Sequence, residues 1–198
     1  VARVKTKFGF DPAKDFDISA GVREAYEPLM KRGAALEDAW NAQLAAYEAK
    51  YPAEASELKR RIAGELPADW AKALPVFKAD AKADATRNTS GQVLNALALV
   101  LKELVGGSAD LTPSNKTWLN CSHNYSHKAR DGRYLRFGVR EHAMIAIGNG
   151  LAAYGGFMPF TATFLNFIEY GFGAARLSAL SGHHQIFVMT HDSIGLGE

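Results

Sequence analysis

From about residue 81 onward, short apolar segments alternate with stretches of helical spacing, and Gly-rich turns divide them. Val105-Gly-Gly-Ser-Ala-Asp110 reads as a strand end entering a loop, and Tyr134-Leu-Arg-Phe137 as a short strand. Phe157-Met-Pro-Phe160 and Gln185-Ile-Phe-Val-Met-Thr190 are the other strand candidates. Between them, helices are expected from Thr89-Ser90 through Leu94, Leu97 and Leu101, from Arg140 to Tyr154, and from Tyr170 to Leu180. In the second of these, Met144, Ile147 and Leu151 share one side. A strand that returns in the same direction needs a crossover, and a helix supplies it. The alternation therefore predicts an α/β fold around a parallel sheet. Ligand sites in such sheets form in the loops beyond the strand carboxyl ends. That rule places Asp110, the segment from Gly138 to Glu141, and His191 along one edge.

Residues 1–80 read differently, as a charged helical arm. Leu36, Trp40, Leu44 and Tyr47 recur at helical steps within Ala35–Lys50, so they lie on one face and are expected to pack as core. A polar start at Asp17 precedes an earlier helical stretch, and Pro52 suits the first turn of a helix over 53–63. The two parts are expected to divide at residues 80 and 81.

Bulk composition excludes several classes. With 23 basic and 21 acidic residues the formal net charge is +2, which gives no electrostatic case for nucleic acid. No apolar run approaches the roughly 20 residues of a membrane span. Cys121 is the one cysteine, so no internal disulfide forms and a reducing, cytoplasmic setting is expected, a plastid or peroxisome remaining open. Val1 stands where a whole chain would carry methionine, and the chain stops in the Gly-rich run Ser193–Glu198. Both ends are expected to be cuts through a longer protein.

Three polar loops follow predicted strands. Gly106-Gly-Ser-Ala-Asp-Leu-Thr-Pro-Ser-Asn115 combines close backbone approach with several donors, which suits a phosphate or cofactor, although an ordinary turn cluster has the same composition. Gly138-Val-Arg-Glu-His-Ala143 opens a helix, and on this segment alone Glu141 is simply a carboxylate favoured by the helix dipole. Thr190-His-Asp-Ser193 offers a His–Asp pair, or a solvated loop. Taken alone, these residues define an α/β domain with a polar site of open chemistry.

Together, the loops resemble the transketolase family. Gly106–Asn115 matches its GGSADLTPSN segment, and Arg136-Phe-Gly-Val-Arg-Glu-His-Ala-Met144 matches its glutamate motif. Thr163-Phe-Leu-Asn-Phe167, Arg176-Leu-Ser-Ala-Leu-Ser181 and Thr190–Glu198 follow in the family's order, and the arm is similar in Lys7-Phe-Gly-Phe10 and Gly64-Glu-Leu-Pro-Ala68. Phe160-Thr-Ala-Thr163 departs from the Tyr-Gly-Gly-Thr run of many members.

The resemblance implies the following. Residues 1–80 would be the end of the pyrophosphate domain and a helical linker, and residues 81–198 an incomplete pyrimidine-binding domain. The whole enzyme would be a homodimer with sites between subunits, moving a two-carbon ketol unit between sugar phosphates with thiamine diphosphate. Mg²⁺ or Ca²⁺ would be held by residues outside this chain, so the chain alone should be inactive. Glu141 would share a proton with the cofactor's pyrimidine N1′. Phe164, Phe167 and Tyr170 would surround that ring, while Asp110 and Leu111 would lie near the thiazolium. Arg87 and Ser114 would bind the substrate phosphate, and His191 would be a histidine of the same substrate channel. A dihydroxyacetone synthase with formaldehyde as acceptor, or a silent assembly module, are the alternatives.

Overall fold

The computed structural model describes residues 1–192, so the Ser193–Glu198 part of the last motif lies outside the described residues. The chain divides into two compact units, Val1–Ser56 and Glu57–Glu198.

The first unit holds α1 (Ala2–Lys7) and α2 (Ala20–Lys50). The stretches expected separately from Asp17 and Ala35 are one 31-residue helix that runs through Pro28. Its stripe does not form a core. Leu36, Trp40 and Tyr47 are 61, 52 and 39% exposed, and no residue of α2 is buried. This corrects the expectation of core packing: periodicity puts residues on one face but does not supply a surface to cover them. The third helix, α3 (Pro52–Ile62), begins on proline as expected, where the missing N–H costs nothing.

The second unit is built on four parallel strands. β1 (Leu104–Ser108), β2 (Tyr134–Arg136), β3 (Met158–Phe164) and β4 (Ile186–Thr190) lie in the order β2-β1-β3-β4. The helices are α4 (Thr86–Val100), the single turn α5 (Thr112–Asn115), α6 (Glu141–Tyr154) and α7 (Phe172–Leu180). A 3₁₀ segment over Leu165–Gly171 precedes α7, so Tyr170 lies in that segment and not in the helix. The first of these helices starts at Thr86, earlier than expected, and so takes Arg87 into its first turn.

Two clusters hold the layers together. Leu94, Ala98 and Leu101 from α4 and the turn after it pack with Leu104, Tyr134 and Phe160 of the sheet. Met144 and Ile145 of α6 pack with Ala174 of α7 and with Ala109. Successive strand residues point to opposite faces. Thus Phe160 enters the first cluster, while Thr161 bonds to Gln185, whose Nε2 reaches the Ile145 carbonyl on α6. The third strand runs past the expected Phe160 to Phe164, because it is paired on both sides and buried almost throughout. Threonine at 161 and 163 fits such a strand, since β-branched side chains are already restricted in χ1. No helix among the described residues is long and apolar enough to cross a membrane.

A charged clamp ties α3 to the start of the sheet. Arg60 donates to both oxygens of Glu103 at 2.9 and 3.1 Å and also to Glu57 at 2.9 Å. Glu103 is only 6% exposed, so its charge depends on that fork. Removing one partner of a buried pair leaves an uncompensated charge, and Arg60→Met is expected to lower the unfolding free energy by about 3 kcal/mol in urea titrations. The Arg60 and Arg61 hydrogen bonds hold the Glu57 carboxyl down at about 2. A depressed carboxylate contributes stability above its unfolded value, and that contribution fades as pH falls from about 4.5 toward 2. The thermal midpoints of wild type and Glu57→Gln should therefore converge across that window.

Candidate active site

Because every strand runs the same way, the loops after all four open at one edge. Asp110 follows β1, Gly138–Glu141 follow β2, the 3₁₀ segment follows β3, and His191 follows β4. Three non-glycine residues with left-handed backbone, Asp110 (φ 64°), Lys116 (φ 57°) and His191 (φ 57°), belong to these loops. Such conformations persist where the surroundings over-determine them, which is common at binding sites.

Glu141 is the first residue of α6. Gly138, at φ 67°, makes the turn that brings the chain from β2 into this helix, a conformation that disfavours any side chain. Glu141 is only 7% exposed, yet no hydrogen bond or ion pair among the described residues reaches its carboxylate. The helix N-terminus favours the negative charge. With the rest of the side chain covered, the carboxylate meets solvent only through the groove it lines, so the position is suited to a ligand group that hydrogen-bonds to it there. Glu141 lines an open groove of about 690 Å³ with Val139, His142, Phe167 and Tyr170.

The aromatic residues form a continuous row. Phe164 stacks on Phe167 with centroids 5.4 Å apart, and Phe167 meets Tyr170 at 6.2 Å. At the other end Phe164 lies against the His191 ring at 3.8 Å. The His191 Nε2 is 2.8 Å from the Arg87 guanidinium, so a cation from α4 and a histidine from the β4 loop meet beside the row. Arg87 Nε is buried with no partner, which leaves this guanidinium with unused donor capacity. The row thus joins the carboxylate groove to the Arg87–His191 pair.

The remaining predicted residues occupy the β1 loop. Asp110 is exposed, Leu111 is half-buried just before α5, and Ser114 lies half-buried within that turn. They sit on the same edge but do not line the carboxylate groove. The loop from Cys121 to His127 is tied down locally: Arg133 donates to Cys121 Sγ at 2.9 Å and His123 meets Asp131 at 3.1 Å. Among the described residues no group of three His, Cys, Asp or Glu is placed to hold a metal ion.

Sequence reasoning missed Asn115, Thr190 and Gly171. Asn115 and Thr190 stood inside quoted motifs, but only the fold shows that they meet, at 2.6 Å. Gly171 is where the 3₁₀ segment crosses α6. A Cβ there would lie 2.5 Å from Ile145 Cδ1 and 3.2 Å from the Glu141 carbonyl oxygen.

Comparison with known proteins bears on this arrangement directly. Residues 82–198 match the family described as transketolase, pyrimidine binding domain, and residues 1–67 match transketolase, thiamine diphosphate binding domain. Transketolase 1 of Saccharomyces cerevisiae is 47% identical over all of this chain, and chloroplastic transketolase-1 of Arabidopsis thaliana is 52% identical over 94% of it. The chain spans 30% and 25% of those two proteins. Among solved structures, a Pichia stipitis transketolase in complex with sedoheptulose-7-phosphate superposes with a TM-score of 0.88 at 46% identity. The Leishmania mexicana transketolase does so at 0.86 and 47%. Each covers 100% of this chain, which spans 30% and 29% of theirs. The sheet and its helices match the pyrimidine-binding domain of the thiamine diphosphate enzyme fold. The chain belongs to the transketolase family.

The close approach of Gly171 to α6 makes a further expectation. Gly171→Val overpacks the contact with Ile145 beneath Glu141 and should destabilise by about 1–3 kcal/mol, read as a lowered thermal midpoint.

Proposed function

We propose that this chain supplies the pyrimidine side of a thiamine diphosphate site in a transketolase, which moves a two-carbon ketol unit from a ketose phosphate to an aldose phosphate. The observation that carries this reading is Glu141, a mostly buried carboxylate at a helix start, with no protein partner among the described residues and an aromatic-walled groove before it. That donor set fits an aminopyrimidine: a flat ring held among aromatic side chains, with a ring nitrogen facing a carboxylate. When bound, thiamine diphosphate supplies the electron sink that ketol transfer needs.

The residues of this chain then divide the remaining work. Glu141 Oε holds a proton against the ring nitrogen, and water exclusion once the groove is covered strengthens that hydrogen bond. Phe164, Phe167 and Tyr170 fix the plane of the ring. Asp110 and Leu111 belong with the same cofactor at its thiazolium end. Arg87 and Ser114 receive the sugar phosphate, for which a guanidinium fork is well suited, and His191 stands beside Arg87 in the same substrate channel. Sugar phosphates are the ligands of several Pichia stipitis structures, which supports this choice.

The reading extends to partners. The groove is open on one side, and Val139 (75%), Tyr170 (69%) and Phe172 (64%) stand exposed at or beside it. A homodimer in which the pyrophosphate domain of another subunit covers these residues accounts for both features. Residues 1–80 are assigned to the end of the pyrophosphate domain and the linker, and residues 81–198 to the pyrimidine-binding domain. A Mg²⁺ or Ca²⁺ ion would be held by parts of the relatives that this chain does not span.

Two measurements test this. In the full-length enzyme, Glu141→Ala should lower kcat by about 100-fold or more while weakening cofactor binding only moderately, since proton transfer by a placed side chain is worth that much. Unchanged turnover would remove Glu141 from its role. The 198-residue chain alone, given thiamine diphosphate and a divalent cation, is expected to show no ketol transfer, and measurable turnover would contradict the two-subunit site.

A further inference from the structure

One buried polar network at the carboxyl edge has no part in holding the cofactor ring. Its centre is Asn115, which is 0% exposed. Ser108 Oγ donates to Asn115 Oδ1 at 2.6 Å, and Asn115 Nδ2 donates to Thr190 Oγ1 at 2.6 Å. Ser108 Oγ also accepts from the Leu111 backbone N–H at 3.1 Å. Thr190 Oγ1 lies 3.0 Å from His191 Nδ1, and His191 Nε2 lies 2.8 Å from Arg87. Ser108 and Thr190 are 1 and 4% exposed, so these bonds are shielded from water and no solvent replaces a lost one.

The direction of the chain follows from its ends. A guanidinium only donates, so His191 Nε2 must accept. The ring proton then sits on Nδ1 and is donated to Thr190 Oγ1. Thr190 accepts twice, from Asn115 and from His191, which matches the two lone pairs of a hydroxyl. The opposite tautomer would set a ring N–H against an Arg87 N–H. His191 also has left-handed backbone (φ 57°) and lies against Phe164, so its position is defined by several contacts at once.

We infer that Asn115 and Thr190 are positioning residues that hold His191 as the neutral Nδ1–H tautomer, with Nε2 turned to Arg87. In the sheet, β3 lies between β1 and β4. Asn115 crosses that gap with one side chain, so the loop carrying Asp110 and Leu111 and the loop carrying His191 share a single anchor. The role of this geometry in substrate binding rests on the reading of Arg87 as a phosphate ligand, whose guanidinium His191 orients by accepting from it at Nε2. The tautomer does not depend on that reading.

The test uses Thr190→Val, which keeps shape and removes the hydroxyl, with Thr190→Ser as the rescue, in the full-length enzyme. The ¹⁵N shifts of the His191 ring give the first readout. Wild type should show a protonated Nδ1 and an unprotonated Nε2, Thr190→Val a mixture of both tautomers, and Thr190→Ser the wild-type pattern. A wild-type ring protonated on Nε2, or a pattern unmoved in a folded Thr190→Val, overturns the inference. Kinetics give the second. Thr190→Val should raise KM for a phosphorylated ketose about five- to ten-fold, the worth of one lost hydrogen bond, and leave KM for an unphosphorylated ketol donor and the cofactor Kd unchanged. Equal rises for both donors would reduce Thr190 to a structural residue. Arg87→Ala separates the two readings: if it leaves the phosphorylated KM unchanged, the phosphate assignment fails, and the ring shifts still decide the relay.

Discussion

All four strands of the sheet run in one direction, and the placement of every group with chemistry in it follows from that. Each return to the next strand needs a crossover: α6 and α7 lie in those from β2 to β3 and from β3 to β4, and a long loop with the single turn α5 makes the one from β1 to β2. The carboxyl ends therefore open together. Loops that are far apart in the chain, after Ser108, Arg136, Phe164 and Thr190, become neighbours. Without that constraint Glu141, Phe167 and His191 would be separate polar or aromatic residues on unrelated turns.

On this frame, the site combines two opposite treatments of buried polar groups. Asn115, Ser108 and Thr190 satisfy one another within the protein, which gives a rigid network. Glu141 is nearly as buried and meets no partner among the described residues. A satisfied network stabilises the fold, while an unsatisfied carboxylate favours an arriving ligand. The Arg60–Glu103 pair belongs to the first kind and anchors α3 to the sheet. Tyr134 does too: burial raises its hydroxyl above the usual tyrosine range, and Thr112 and Thr117 hydrogen-bond to it at 2.7 and 3.1 Å.

Much of the fold was legible because its signals are local. Alternating strand and helix patterns located all four strands, and turn residues such as Gly138 marked where helices begin. Boundaries were less so. The sequence pattern carries the third strand only to Phe160, while pairing on both sides, which is not local, extends it to Phe164. The arm shows the same limit from the other direction. The spacing of Leu36, Trp40 and Tyr47 puts them on one helical face, but their exposure depends on what lies opposite, which no spacing encodes.

For the site, the sequence by itself determined the residue types, their order and, through long shared motifs, the family. It also determined that Glu141 would begin a helix. Tertiary structure decided which residues meet. The contact of Arg87 with His191 joins positions 104 apart, and the bond of Asn115 with Thr190 joins positions 75 apart. Such pairs are set by the order of strands in the sheet. The burial of Glu141 without a partner was decided there as well, because exposure belongs to the packed molecule and a carboxylate in a first helical turn carries no sign of it in the chain.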